Sequence, residues 1–258
     1  LKIMRKAAAN SARAHVRAMQ VARPGLYEYE LEAEIQHEFL KNGCPAPAYN
    51  SIVGSGANAC ILHYVENNKV MQDGDLVLID AGGELDHYAA DITRTFPVNG
   101  KYSPEQKAIY QLVLDAQHAA IASVKPGAHW NVPHETVINV LVDGLLSLGL
   151  LTGTREECIE NASYRQFFMH RTGHWLGMDV HDVGDYKIDN QWRELEPGMV
   201  MTVEPGLYIA PDCDTVDPKW RGIGVRIEDD VLVTKTGHEV LTHGVPKTVE
   251  EIEALMAR

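Results

Sequence analysis

Two stretches far apart in this chain follow one plan, and that repeat restricts the folds open to it more than any other feature. Gly74 opens the run Asp75-Leu-Val-Leu-Ile-Asp80-Ala-Gly82, and Gly198 opens Met199-Val-Met-Thr-Val-Glu204-Pro-Gly206. In both, an apolar run of strand length ends in a carboxylate six positions after the first glycine, with a second glycine two beyond it. Each is followed by a further short strand pattern that carries an acid: Ala90-Asp91-Ile-Thr-Arg-Thr-Phe96 in the first half, Gly224-Val-Arg-Ile-Glu228-Asp-Asp-Val231 in the second. The preceding segments repeat as well. Residues 4–22 are Ala-rich with apolar positions at helical spacing and stop at Arg23-Pro24-Gly25, and a second helical stretch, Tyr27 to Leu40, stops at Asn42-Gly43. Residues 104–124 then read as helix, Lys125-Pro126-Gly127 matches the earlier turn, and another helix runs from about Pro133 to Leu148. An internal duplication is the simplest explanation. If the halves pack about a pseudo-twofold axis, four carboxylates meet from four strands. That predicts one α/β (α+β) domain over residues 1–258, not two independent ones.

The chain has 258 residues, 45% of them hydrophobic, and can bury a large core without disulfides or a partner. Its net charge of −13 argues against a phosphate-binding surface, so nucleic acid is not an expected partner. Most of that charge reads as a solvated acidic surface; carboxylates gathered round divalent cations would give the same count, and only position separates the two. Cys44, Cys60, Cys158 and Cys213 are widely separated and form no CxxC pair, which points to free thiols in a reducing compartment. No apolar run approaches the roughly 20 residues of a membrane span, and the start at Leu1 lacks a signal pattern. These features predict a cytoplasmic protein without a membrane partner. A start on Leu1, already in helix-like sequence, reads as a piece of a longer product.

Carboxylates are rarely buried unpaired, because desolvating a charge costs several kcal/mol even after relaxation. Asp80 and Glu204 close strongly apolar runs and therefore need cations nearby. Arg94 and Arg226 are candidate structural partners for any one acid, but the repeat concentrates more negative charge than two arginines neutralise. Two divalent ions would neutralise all four carboxylates, and acidic oxygens with one imidazole suit Mn²⁺, Zn²⁺ or Co²⁺. The densest histidine region is His170-Arg-Thr-Gly-His174-Trp-Leu-Gly177-Met-Asp-Val-His181-Asp182, with three histidines in twelve residues. A lone histidine there would more often be a surface or satisfied core residue than a ligand; three beside Gly-rich turns are harder to dismiss.

The order Asp80, Asp91, His174, Glu204, Glu228 resembles the five-ligand signature of the pita-bread metallopeptidases, the fold shared by methionine aminopeptidase, aminopeptidase P and prolidase. His170-x-x-Gly-His174-Trp-Leu-Gly-x-Asp-Val-His181-Asp-Val-Gly184 resembles the proline-specific branch. Leu195-Glu-Pro-Gly-Met-Val-Met-Thr-Val-Glu-Pro-Gly-Leu-Tyr208 and Arg221-Gly-Ile-Gly-Val-Arg-Ile-Glu-Asp-Asp230 look most like bacterial aminopeptidase P. The match runs from the first helix to the C-terminus. It implies a pita-bread fold with a central antiparallel sheet flanked by helices. It also implies two divalent ions, Mn²⁺ preferred, with Asp91 and Glu228 bridging them, Asp80 on one, and His174 and Glu204 on the other. A water shared by the ions would be the nucleophile, and Glu204 would carry the proton to the leaving nitrogen. By the same resemblance His63, His170 and His181 line the substrate site, and Tyr208 and Arg226 shape its proline end. Asp179, Asp182 and Asp229 read as supporting or surface groups, and His87, His118 and His129 as solvent-exposed.

The resemblance implies hydrolysis of the N-terminal Xaa-Pro bond of peptides with proline second. Prolidase, which shares the ligands but cleaves only Xaa-Pro dipeptides, is the alternative; Trp175 and the Asp179-Val-His181-Asp182 context tilt the reading to aminopeptidase P. Methionine aminopeptidase fits the histidine cluster and Arg226 poorly. A non-catalytic pita-bread binding module would be expected to have replaced at least one of the five ligand positions, and all five are intact. Family members usually carry a separate N-terminal domain that supports homo-oligomer formation and in some lends a residue to a neighbouring site. The resemblance places residues 1–258 in the catalytic domain, and the expectation is of a sequence without that N-terminal domain.

Overall fold

A computed structural model describes residues 1–257. Helices α1 (Lys2–Val21) and α2 (Glu28–Lys41) lead into strands β1 (Ala46–Pro47), β2 (Ile52–Ser55), β3 (Leu76–Asp80), β4 (Gly83–Leu85), β5 (Tyr88–Ala89) and β6 (Thr93–Pro97). The second half opens on α3 (Pro104–Ser123) and α4 (Val132–Ser147), with α5 (Arg155–Glu160) behind them. A small hairpin, β7 (Lys187–Ile188) with β8 (Gln191–Trp192), precedes β9 (Val200–Val203), β10 (Gly206–Tyr208), β11 (Gly224–Arg226), β12 (Asp229–Val233) and β13 (His238–Val240). α6 (Val249–Met256) closes the described chain.

The helices begin where local chemistry favours it. Ser103 accepts from the Gln106 backbone N–H while the Gln106 side chain accepts from the Ser103 N–H, and Pro104 supplies a preset φ at the first turn of α3. Thr154 with Glu157 and Thr248 with Glu251 cap α5 and α6 in the same way. In α1 the buried face is built largely from alanines, including Ala7, Ala8, Ala14 and Ala18, and these small side chains let the helix pack closely on β4 and β5.

The repeat is visible in the strands. β3 pairs with β6 antiparallel, Asp80 opposite Thr93; β9 pairs with β12 antiparallel, Val203 opposite Asp229. Each pair gains a third antiparallel strand, β2 beside β3 and β13 beside β12. Gly74 and Gly198, which introduce the two acid-bearing strands, have φ of +88° and +101°, a left-handed backbone that favours glycine. Among the described residues the strands form three short three-stranded antiparallel ladders, these two and β1-β4-β5, with the two-stranded pairings β10 with β11 and β7 with β8 beside them. One hydrophobic core runs through both halves, joining Ile79 and Phe96 to Val203, Val225 and Val231.

A buried ionic network ties the halves together. Arg94 on β6 and Asp229 on β12, both fully buried, form a 2.8 Å pair. Asp229 also accepts from Gln117 of α3, Lys247 and Thr242, while Arg94 Nη1 donates to the Glu228 carbonyl at 2.6 Å. Buried charges persist only when paired and hydrogen-bonded, and these are. The Arg94 and Lys247 charges hold the Asp229 carboxyl well below its usual range, although burial alone would raise it. Of the two arginines considered as partners for the four acids, Arg94 therefore serves Asp229 instead.

Candidate metal centre and substrate cavity

The acids named from the repeat sit at the ends of strands or in the breaks between them. Asp80 is the last residue of β3, and Glu204 follows β9 directly. The sequence suggested continuous strands through Asp91 and Glu228. Instead Asp91 precedes β6, and Glu228 lies in the break between β11 and β12. Leaving the ladder frees these side chains to turn toward a shared cavity of about 750 Å³, whose lining includes Asp80, Asp91, His174, Glu204 and Glu228.

One donor atom each from Asp91, His174 and Glu228 lies within 4.8 Å of the others. His174 Nε2 is 3.4 Å from Asp91 Oδ2 and 3.5 Å from Glu204 Oε1. Its other nitrogen, Nδ1, lies 2.9 Å from the Trp175 carbonyl, a contact that makes it the donor and leaves Nε2 free to face the acids. The Glu228 carboxylate accepts from Thr93 Oγ1 at 2.6 Å, and Glu204 from Thr202 Oγ1 at 3.2 Å. Asp80 accepts from Arg226 Nη2 at 2.7 Å and from the Tyr49 hydroxyl at 2.6 Å. That hydroxyl is also 2.5 Å from Asp91 Oδ1.

Burial, reinforced by mutual repulsion, raises the Asp91, Glu204 and Glu228 carboxyls above their usual range. Burial would lower the His174 imidazole, but the Asp91 hydrogen bond and the Glu204 and Asp91 charges outweigh it and lift it to about 9. Asp80 has a guanidinium partner; the other three acids have no arginine or lysine within ion-pairing distance among the described residues. An oxygen-rich donor set with one imidazole and this surplus of negative charge fits divalent cations.

His63, His170, His181 and Arg226 line the same cavity. The His181 ring meets His174 edge-on at 4.3 Å between centroids. Burial and the Arg226 charge push His170 down to about 3, so its imidazole is neutral. Tyr208, expected to help shape the proline end, is buried next to the cavity rather than in its lining, with its hydroxyl 2.8 Å from His170 Nε2 and 3.1 Å from Arg226 Nη1. It reaches the site by orienting those two side chains. His63 stands on a loop held by the buried Glu28, whose carboxylate accepts from Ser55, Asn58, Tyr64 and the Lys69 backbone.

Several site residues were not singled out from the sequence. Tyr49 lies in an irregular segment, where no periodicity marks it. Thr93 and Thr202 stand two positions from Asp91 and Glu204, a spacing that places residues on one face of an extended chain and so offered a signal. Trp130, Tyr186 and Trp192 form an aromatic wall, with Trp130 and Tyr186 at 4.7 Å. His87 and His118 are exposed as expected, but His129 is half-buried, with a buried Nδ1 that lacks a hydrogen-bond partner. Asp229, read as a supporting or surface group, is fully buried in the Arg94 network.

Comparison with known proteins agrees with this geometry. The profile of metallopeptidase family M24 matches residues 2–235. The chain belongs to metallopeptidase family M24. Within M24 it is 54% identical over 256 residues to the Xaa-Pro aminopeptidase of Escherichia coli strain K12, covering 99% of this chain and 58% of the relative. It is 39% identical over 290 residues to the human Xaa-Pro dipeptidase, covering 100% and 59%. The solved Pseudomonas aeruginosa aminopeptidase PepP superposes with a TM-score of 0.99 at 66% identity, over 99% of this chain and 58% of that one. The pita-bread arrangement expected from the sequence is the fold of this M24 chain. The chain spans about three-fifths of the length of the curated relatives it matches.

Proposed function

We propose that this chain is the catalytic part of a metal-dependent Xaa-Pro aminopeptidase, which removes the N-terminal residue from peptides with proline second. The observation that carries the reading is the meeting of Asp91, His174 and Glu228 donor atoms within 4.8 Å in the floor of a large cavity, in a chain of family M24. Two divalent ions would be held by Asp91 and Glu228 jointly, by Asp80 on one side, and by His174 and Glu204 on the other. Mn²⁺ is the preferred ion, with Zn²⁺ and Co²⁺ also suited to the donor set. Such ions, when bound, would supply Lewis acidity toward the scissile carbonyl and lower the pKa of water.

The chain's own residues do the rest. The bond before proline is a tertiary amide with no N–H, so it offers no donor to grip, and its leaving nitrogen must be given a proton. Glu204 accepts a proton from the attacking water and delivers it to that nitrogen. His63 and His181 hydrogen-bond the peptide, and neutral His170, its two ring nitrogens held by the Arg171 carbonyl and the Tyr208 hydroxyl, presents its ring to the proline end. Arg226 screens the acids and, with Tyr208, keeps that end in shape. Ile52, Leu62 and Trp130 supply apolar wall for a ring without donors.

Free Cys44, Cys60, Cys158 and Cys213 suit a reducing cytoplasm. No helix among the described residues is long and apolar enough to cross a membrane. Association of copies into a homo-oligomer is part of the same reading. The test compares a Xaa-Pro dipeptide with the same sequence extended by several residues. Efficient cleavage of the extended peptide is expected; cleavage of the dipeptide alone would assign the chain to the dipeptidases.

A further inference from the structure

We propose that Tyr49 is a positioning residue for the metal centre, its phenol hydroxyl holding the Asp80 and Asp91 carboxylates at the spacing in which both face one cation. This rests on the metal reading above. The two acids come from separate segments, the end of β3 and the stretch before β6, and like charges on separate segments relax apart unless a donor joins them. The Tyr49 hydroxyl lies 2.6 Å from Asp80 Oδ1 and 2.5 Å from Asp91 Oδ1. A phenol has one proton to donate, so it serves one oxygen at a time, yet it stands within reach of both and fixes them to a common point. The remaining oxygens are differently engaged: Asp80 Oδ2 accepts from Arg226, whereas Asp91 Oδ2 is the atom facing His174 Nε2.

The hydroxyl can act this way because its backbone is tied to the acid it holds. On one side the Ala48 N–H donates to the Gly82 carbonyl, two residues beyond Asp80, at 2.8 Å. On the other, Ile52 of β2 pairs directly with Asp80. The Ser51 carbonyl between them accepts from the Asn67 side chain at 2.9 Å. The segment carrying Tyr49 is thus pinned on both flanks to the strand whose carboxylate it orients.

Tyr49→Phe removes the hydroxyl and keeps the ring. Calorimetric titration of the metal-stripped chain with Mn²⁺ should show at least one cation bound about 10-fold more weakly than in wild type, the range for a lost group hydrogen-bonded to metal ligands. The circular dichroism spectrum should stay unchanged. At saturating Mn²⁺, kcat on a Xaa-Pro-extended peptide should largely recover with KM little altered. Wild-type Mn²⁺ affinity in the variant would overturn the inference, whether or not KM rises, because a cavity-wall role moves KM alone. Failure of the wild-type chain to bind Mn²⁺ would overturn the metal reading and this inference with it.

Discussion

In the proposed mechanism Glu204 carries two duties on one carboxylate, metal ligand and proton carrier, and its surroundings suit both. It sits just past β9, beside His174 and Thr202, and in the protein without cations its burial keeps the proton more tightly held than in water. Glu204→Gln keeps the size and removes the charge. Turnover should fall by at least about 100-fold, within the range for a lost general acid–base, with the circular dichroism spectrum retained. An unchanged kcat would make Glu204 a structural acid. His15 shows the same physics away from the chemistry. It is fully buried on α1 with Nε2 2.9 Å from the Ala81 carbonyl, and burial, with the Arg94 charge also acting downward, lowers it to about 4. Its folded pKa lies below the unfolded value near 6.5, so the unfolded chain binds the extra proton. The stability it contributes is present above pH 6.5 and is lost as pH falls toward 4. Urea unfolding across that window should lose up to about 3 kcal/mol through this group. His15→Asn should flatten the slope by about one proton, and an unaltered slope would assign the acid limb to other groups.

At the scale of elements, the site depends on how β6 and β12 are joined behind it. Arg94 and Asp229 pair between them with no solvent exposure, and Arg94 also donates to the Thr93 and Glu228 carbonyls that flank the acids. Arg94→Met leaves Asp229 with Lys247 as its remaining cation, so the chain should lose about 3–5 kcal/mol, read as a lower denaturant midpoint. A loss under about 1 kcal/mol would mean that Lys247, Gln117 and Thr242 suffice. The helices were legible from the sequence because Ala-rich periodicity and Pro-Gly turns state their limits; 4–22 against Lys2–Val21 differs only at the frayed ends. The acid-bearing strands were less so. Apolar alternation continues through Ile92 and Ile227, and nothing local says that Asp91 and Glu228 must leave the ladder to meet partners from the other half. Tyr49 was illegible for a related reason, since its partners are 31 and 42 positions away.

For the molecule as a whole, the repeat fixed which acids would converge, and the histidine cluster supplied the imidazole. What the sequence hid is the electrostatic state of the cluster, because repulsion among Asp91, Glu204 and Glu228 exists only once the halves are packed. Divalent ions relieve that repulsion in the folded state alone, so they should stabilise it by mass action. At Mn²⁺ a hundredfold above Kd the gain is about 2.7 kcal/mol per site. A thermal melt should therefore shift upward with Mn²⁺ and return on chelation, while an insensitive melt would leave the acids held by the protein alone. The decisive measurement follows release of the first residue from a peptide with proline second, before and after exhaustive chelation, and again after Mn²⁺ is restored. Activity should vanish with the metal and return with it; turnover that survives chelation would contradict the metal mechanism.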